Sequence, residues 1–211
     1  KEEKHLREKA RGKDGTMDQE RLKKQIDFIV EIDKAKHILR RTVLMDKSRR
    51  ENDAEHSWHL AVMAILLKEY AAEDVDLEKV LKMVLVHDLV EIDAGDTYCY
   101  DARANLDKRD RELCAADRLF AILPEDQEKE VRGLWEEFED CTTPEAEFAA
   151  SLDRLQPFLH NLYTDGHTWK NGVTSDMVRD RMAEIRSGAP ELWEIVDRKI
   201  DECVKKGILK K

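Results

Sequence analysis

The densest chemistry in this chain lies in ten consecutive residues, His87-Asp88-Leu89-Val90-Glu91-Ile92-Asp93-Ala94-Gly95-Asp96, which hold one imidazole and four carboxylates. They follow the apolar run Val80-Leu81-Lys82-Met83-Val84-Leu85-Val86. A charged pair at the end of so apolar a segment is costly to bury unless something compensates it. A metal ion is one such compensation; a hydrogen-bonded His-Asp pair is another. Glu91 lies four residues after His87, a spacing that puts both on one face if a helix runs through them. Two distant segments offer partners. Asn52-Asp53-Ala54-Glu55-His56-Ser57-Trp58-His59 presents two imidazoles three residues apart, and Asp153 is a lone carboxylate among Phe148, Ala149, Ala150 and Leu152. Imidazole and carboxylate donors together suit one divalent transition ion such as Mn, Co, Fe or Zn. Such an ion acidifies bound water and offsets anionic charge.

These residues need elements to carry them, and the pattern is helical throughout. Leu22, Ile26, Ile29 and Ile32 predict a first helix from Asp18 to about Arg40. Residues 41–52 are irregular and Arg-rich. Asp53 reads as the N-cap of a second helix through about Tyr70, carrying His56 and His59. Asp76 caps a third, apolar nearly all round and therefore central, which carries His87-Asp88 and ends near Gly95. A fourth covers about Arg103 to Leu123, and a fifth, mostly charged, Glu125 to Asp140. Thr143-Pro144 opens a sixth that passes Asp153, with a kink expected at Pro157. A seventh lies between Thr174 and Gly188, and an eighth runs from Pro190 to Lys206, closed by Gly207. No strand alternation, repeat or inter-domain linker is evident. Residues 1–16 read as a flexible tail, with Met17-Asp18 a plausible start, and residues 17–211 as one domain.

Composition bounds the function classes. The 211 residues are 41% hydrophobic and 40% charged, with only 8 Gly and 4 Pro, a mixture that suits one helical core under charged faces. The net charge of −10 and the lack of a basic stripe argue against a duplex nucleic acid partner. Cys99, Cys114, Cys141 and Cys203 form no CxxC pair and read as free thiols of a cytoplasmic protein. No apolar run approaches the ~20 residues of a membrane span, and no secretory segment opens the chain.

The whole pattern resembles the HD-domain metal-dependent phosphohydrolases, whose signature His…His-Asp…Asp falls here on His56, His87-Asp88 and Asp153. Arg49-Arg50-Glu51-Asn52-Asp53-Ala54-Glu55-His56-Ser57, the HDLVEIDAGDT run and Leu152-Asp153-Arg154-Leu155-Gln156-Pro157 resemble one branch of them, the 5′-deoxynucleotidases, over about residues 18–209. The resemblance implies an all-α bundle of about eight helices, often a homodimer. It implies that His56, His87, Asp88 and Asp153 bind one divalent ion, that Glu91 contacts the attacking water, and that Asp96 assists as acid/base or positions the substrate. It also implies that Arg41 holds the phosphate of a (deoxy)nucleoside 5′-monophosphate. The branch often has Arg-Trp where this chain has Arg41-Thr42. That Trp crowds the sugar 2′ position, so selection of deoxyribose is expected to be weak here. His59, one turn after His56, joins Arg41 and Thr42 as a substrate contact or supports the ligands from behind, though a histidine so placed is more often a satisfied core or rim residue.

Other residues have plainer roles. Trp58 suits a base-stacking surface, though Trp on an apolar helical face is usually core. Arg40, Arg49 and Arg50 suit phosphate binding or surface ion pairs equally. Two neighbouring activities use the same metal site, phosphodiester and nucleoside triphosphate hydrolysis. A non-catalytic nucleotide sensor would be expected to have lost a ligand or a catalytic carboxylate, and this chain retains all of them.

Overall fold

The computed structural model describes residues 19–170 and 172–211; the expected tail at 1–16 lies outside them. The architecture is all-helical apart from one small hairpin. Helix α1 (Gln19–Ile32) is followed by a 3₁₀ turn (Asp33–His37), strand β1 (Leu39–Val43) and strand β2 (Arg50–Asn52). Then come α2 (Asp53–Leu67), a 3₁₀ turn (Lys68–Tyr70), α3 (Leu77–Val86), α4 (Glu91–Ala94), α5 (Lys108–Phe120) and α6 (Glu125–Asp140). The chain ends with α7 (Pro144–Tyr163), a 3₁₀ turn (His167–Trp169), α8 (Ser175–Arg181), α9 (Ala183–Gly188) and α10 (Pro190–Lys205).

Helix α7 is the axis. Thr143 caps it through the Ala146 amide, with Pro144 in the first turn, and it packs against α2, α3, α6 and α9. Leu60 of α2, Met83 of α3, Phe148 and Leu152 of α7, Ile185 of α9 and Ile200 of α10 fill the main core. A smaller core joins Phe28, Leu119, Phe120 and Trp135 beneath α4 to α6. Gly188 lets α9 lie directly on α7, because a Cβ there would stand 2.2 Å from the Glu147 carbonyl oxygen.

Several expectations need correction. The first helix stops at Ile32, and Leu39–Val43 pairs antiparallel with Arg50–Asn52, Leu39 opposite Asn52 and Val43 opposite Arg50. The strand does alternate in burial, but its inward residues are Arg40 and Thr42, so hydrophobicity does not reveal the period. The apolar stripe of α1 buries only Phe28; Leu22, Ile26, Ile29 and Val30 stay exposed. The N-cap of α2 is Asn52, not Asp53. Its side chain accepts the Glu55 amide at 2.9 Å while the Glu55 carboxylate accepts the Asn52 amide at 3.1 Å, a reciprocal capping box. The third helix is half-exposed at Leu85 and ends at Val86. Backbone bonds from Leu89 to Val86 and from Glu91 to Asp88 tighten the chain into a turn before α4, and Gly95 at φ +76 ends that short helix. The expected seventh helix is two, α8 and α9, broken at Met182.

Candidate active site

The break after α3 places the polar cluster. His87 and Asp88 leave the helix just where it meets α2 and α7, so their side chains turn toward His56 and Asp153. The His56 Nε2 lies 2.9 Å from Asp153 Oδ1 and 3.7 Å from Asp88 Oδ2. The His87 Nε2 lies 3.1 Å from Asp88 Oδ2 and 3.6 Å from Asp153 Oδ1. His87 Nδ1 donates to the Val84 carbonyl at 3.0 Å, which turns the Nε2 lone pair inward, the usual way a ligating imidazole is oriented. Four donors from three elements thus converge in a buried space.

The fit to a divalent cation rests on these atoms themselves. His87 Nε2 is buried without a hydrogen-bond partner, as is Glu91 Oε2 nearby. Orphaned buried donors and acceptors are uncommon, and each calls for an explanation. His56, His87 and Asp88 offer atoms within 4.8 Å of one another, as do Asp53, Asp88 and Glu91. The family-type ligand set His56, His87, Asp88 and Asp153 could therefore hold the ion, with Glu91 alongside.

Charge is arranged around that space. Burial pushes the Asp88 carboxyl up, but the neighbouring His87 and Arg40 charges outweigh it and hold Asp88 below the usual carboxylate range. Asp153 is likewise held low against burial, chiefly by the Arg154 guanidinium, which donates to it. Burial opposes the charged form of His87, yet Asp88 and Asp153 raise it well above the ordinary imidazole value; a proton and a metal ion compete for that lone pair. Glu91 goes the other way. Burial, then the Asp88 and Asp53 charges, push it well above the carboxylate range. The same two influences, burial and Asp88, push Asp53 up to about 8. Asp96 is raised by burial against the attraction of Arg40.

Beyond the cluster opens a cleft lined by His87, Asp88, Glu91, Asp96 and Asp153 together with Arg41, Thr42, Tyr98 and Trp169. Arg40, Lys108, Arg154 and Arg181 also line it. Of the expected site residues, all but two line the cleft. His56 is wholly buried and joins the cluster through Asp153. His59 does not line the cleft. It faces the amide of Gln156 at 3.3 Å, on the side of α2 toward His160. Arg41 reaches the cleft wall with its guanidinium 5.5 Å from the Tyr98 ring centre. Its neighbour Arg40 makes the tighter contact with the cluster, donating to Asp88 at 2.6 Å and lying 3.4 Å from Asp53. Thr42 is buried and donates to Glu51 at 3.2 Å. Asp53, Lys108, Arg154 and Arg181 were not singled out as functional from the sequence. Only Arg154, adjoining Asp153, carries a local signal of its position.

Comparison with known proteins agrees with this geometry. A family model described as the HD domain matches residues 32–193. The bovine 5′-deoxynucleotidase HDDC2 is 33% identical over 117 residues, 56% of each chain. The human protein of that name is 30% identical over 154 residues, 73% of each chain. A crystal structure described as a predicted metal-dependent phosphohydrolase from Magnetospirillum magnetotacticum is 52% identical, with a TM-score of 0.87 over 90% of this chain and 96% of that one. The match to the bovine relative thus spans little more than half of its length.

Proposed function

The chain belongs to the HD domain family, and from that premise we propose that it is a metal-dependent phosphomonoester hydrolase releasing phosphate from (deoxy)nucleoside 5′-monophosphates. The observation that carries this is the convergence of His56, His87, Asp88 and Asp153, the last three lining a cleft that Arg41, Lys108 and Arg181 also line. The names of the curated 5′-deoxynucleotidase relatives support the substrate class.

In this reading His56, His87, Asp88 and Asp153 hold the ion, for which imidazole and carboxylate donors favour Mn, Co, Fe or Zn. When bound, the ion would acidify water and offset phosphate charge. Glu91, buried beside the ligands and raised above the ordinary carboxylate range, takes a proton from water near neutral pH, a role worth about 10²–10⁴-fold. Asp96, just past the Gly95 turn and also raised by burial, returns a proton to the departing nucleoside oxygen. Arg41 binds phosphate: it makes no ion pair among the described residues, whereas Arg40 is held by Asp88. Tyr98 and Trp169 give the base an apolar wall rather than a set of edge-reading hydrogen bonds, so the base is read weakly. Thr42 leaves the sugar uncrowded on its side of the cleft, so ribo- and deoxyribonucleotides both enter.

Residues 17–211 act as one domain. The exposed apolar face of α1 supports a homodimer, and four free thiols support a cytoplasmic setting. Among the described residues no helix is long and apolar enough to cross a membrane. The test is phosphate release from matched deoxy- and ribonucleoside 5′-monophosphates, with 3′-monophosphates, triphosphates and a diester as controls. Turnover confined to diesters or triphosphates overturns the reading.

A further inference from the structure

One helical turn beyond the active-site cluster, the same two helices build a second polar cluster. On α2, His59 follows His56 by three residues; on α7, Gln156 follows Asp153 by three. As His56 meets Asp153, so His59 meets Gln156. His160, one further turn along α7, and Glu51 of β2 complete the group. Glu51, Gln156 and His160 are buried, and His59 is half-buried and gives access from solvent.

The hydrogen bonds of this group do not close. The Gln156 amide nitrogen lies 2.6 Å from Glu51 Oε1, 3.0 Å from His160 Nε2 and 3.3 Å from His59 Nδ1. It has two hydrogens for three acceptors. Its own oxygen, Oε1, is buried with no partner. Turning the amide over is no remedy, because that sets a carbonyl oxygen where the nitrogen now faces the Glu51 carboxylate. His160 cannot supply the missing hydrogen as a neutral ring: its Nδ1 donates to the Val43 carbonyl at 2.8 Å, leaving a lone pair on Nε2. A cation resolves all of this. It takes the lone pairs of Glu51, His59 and His160, and the turned amide then offers Oε1 as a fourth donor.

We propose that Glu51, His59, Gln156 and His160 form a second site for a divalent transition ion of the zinc type, separate from the active site. The donor set of two imidazoles and one carboxylate is one that such ions prefer. Both ligands that need orienting are already held from behind, His160 by Val43 and Glu51 by the Thr42 hydroxyl at 3.2 Å. The His160 Nε2 and Glu51 Oε1 are 3.6 Å apart, close to the ~3.4 Å edge of a tetrahedron with bonds of about 2.1 Å. The three residues offer donors within 4.8 Å of one another, near enough for one ion to gather them. An ion here ties the β1–β2 hairpin, which carries Arg40 and Arg41, to the helices that carry His56 and Asp153. Its role is to fix the cleft wall.

The experiment loads the full chain, stripped with chelator, with zinc alone. Zinc per chain is read by elemental analysis after gel filtration, and Tm is read against zinc concentration. His59→Ala is expected to bind one equivalent fewer than wild type and to lose part of the zinc-dependent rise in Tm. The same single-equivalent difference is expected in a His87→Ala background, where the active-site ion is weakened. His160→Gln, checked for fold by circular dichroism, should behave as His59→Ala does. With cobalt in place of zinc, wild type should show a visible band that His59→Ala reduces. Equal zinc in wild type and His59→Ala overturns the second site. Loss of zinc in His87→Ala alone would leave the active-site assignment standing.

Discussion

Arg40 is the residue whose replacement tests the electrostatics of the cleft most sharply. Its guanidinium, largely buried, donates to Asp88 and lies beside Asp53, which is itself almost wholly buried. Replacing it by Met keeps the stem and deletes the charge. Removing one partner of a buried pair leaves the other unpaired, at a cost of about 3–5 kcal/mol. For a domain of this size each kcal/mol lowers Tm by about 2–4 °C, so the metal-free variant should melt about 6–20 °C below metal-free wild type. The ion changes that figure. Once a divalent cation neutralises Asp88, the deleted guanidinium matters less, and ligand binding to the folded state adds stability to both proteins. The gap between variant and wild type should then shrink by more than half. Thermal melts in chelator and in saturating manganese or zinc give both values. Lys129→Met, which breaks the exposed pair with Glu125, serves as control and should leave Tm unchanged. A drop below about 3 °C, or one that is the same with and without metal, would refute the placing of Arg40 as a counter-charge to the metal ligands.

Four further outcomes follow from the site and the fold. His87→Ala should lose the active-site ion, measured by elemental analysis, and with it the metal-dependent part of Tm; metal content equal to wild type would remove His87 from the ligand set. Glu91→Gln should keep its metal and lose about 10²–10⁴-fold in kcat with little change in KM, as expected for a proton-transfer group; full turnover would end the proposed role of Glu91. Gly188→Ala should be strongly destabilised, because the new methyl would meet the Glu147 carbonyl oxygen at 2.2 Å and Ser151 Oγ at 2.4 Å; overpacking of this kind typically costs about 1–3 kcal/mol, and an unchanged urea midpoint would contradict the close approach of α9 to α7. Thr42→Trp should raise the deoxy-to-ribo ratio of kcat/KM, and an unchanged ratio would place the sugar elsewhere in the cleft.

What the sequence disclosed depended on whether hydrophobicity carried the signal. The starts of α6 and α7 were legible because Pro124 and Pro144 act locally through φ and the missing N–H, and Thr143 caps α7 by accepting the Ala146 amide. The metal-type cluster was legible because its residue types are rare at the end of an apolar run. Strand β1 was hidden because its inward positions are Arg40 and Thr42, and no apolar alternation marks a strand whose buried face is polar. Only once the segment is extended do Arg40 and Arg41 point to different sides, Arg40 inward and Arg41 outward. Asp53 was hidden by a shift of one residue. As an N-cap it would have been occupied by backbone amides; with Asn52 in that role, it is free to face Arg40 and Asp88.

The electrostatics of the cleft fit a divalent ion at the cluster and cationic side chains on the walls. Asp53, Asp88, Glu91, Asp96 and Asp153 bring five carboxyls together, and the guanidiniums of Arg40 and Arg154 are already engaged with Asp88 and Asp153. Fully ionised, that group would keep an excess of negative charge that His87 offsets only in part, and would repel a phosphate dianion. Burial and the neighbouring charges raise Asp53, Glu91 and Asp96 above the ordinary carboxylate range, which eases that excess. A divalent ion on the low-lying pair Asp88 and Asp153 reverses the local sign without displacing them. Arg41, Lys108 and Arg181 line the cleft beyond the cluster, where the phosphate's remaining charge would emerge. The partition is spatial: the carboxyls held low, Asp88 and Asp153, sit with the imidazoles, those raised by burial, Asp53, Glu91 and Asp96, sit beside them, and cations line the walls. A chain with a net charge of −10 can therefore admit an anionic ester, because the field that the ester meets is set by the few groups within a Debye length of about 8 Å rather than by the whole surface.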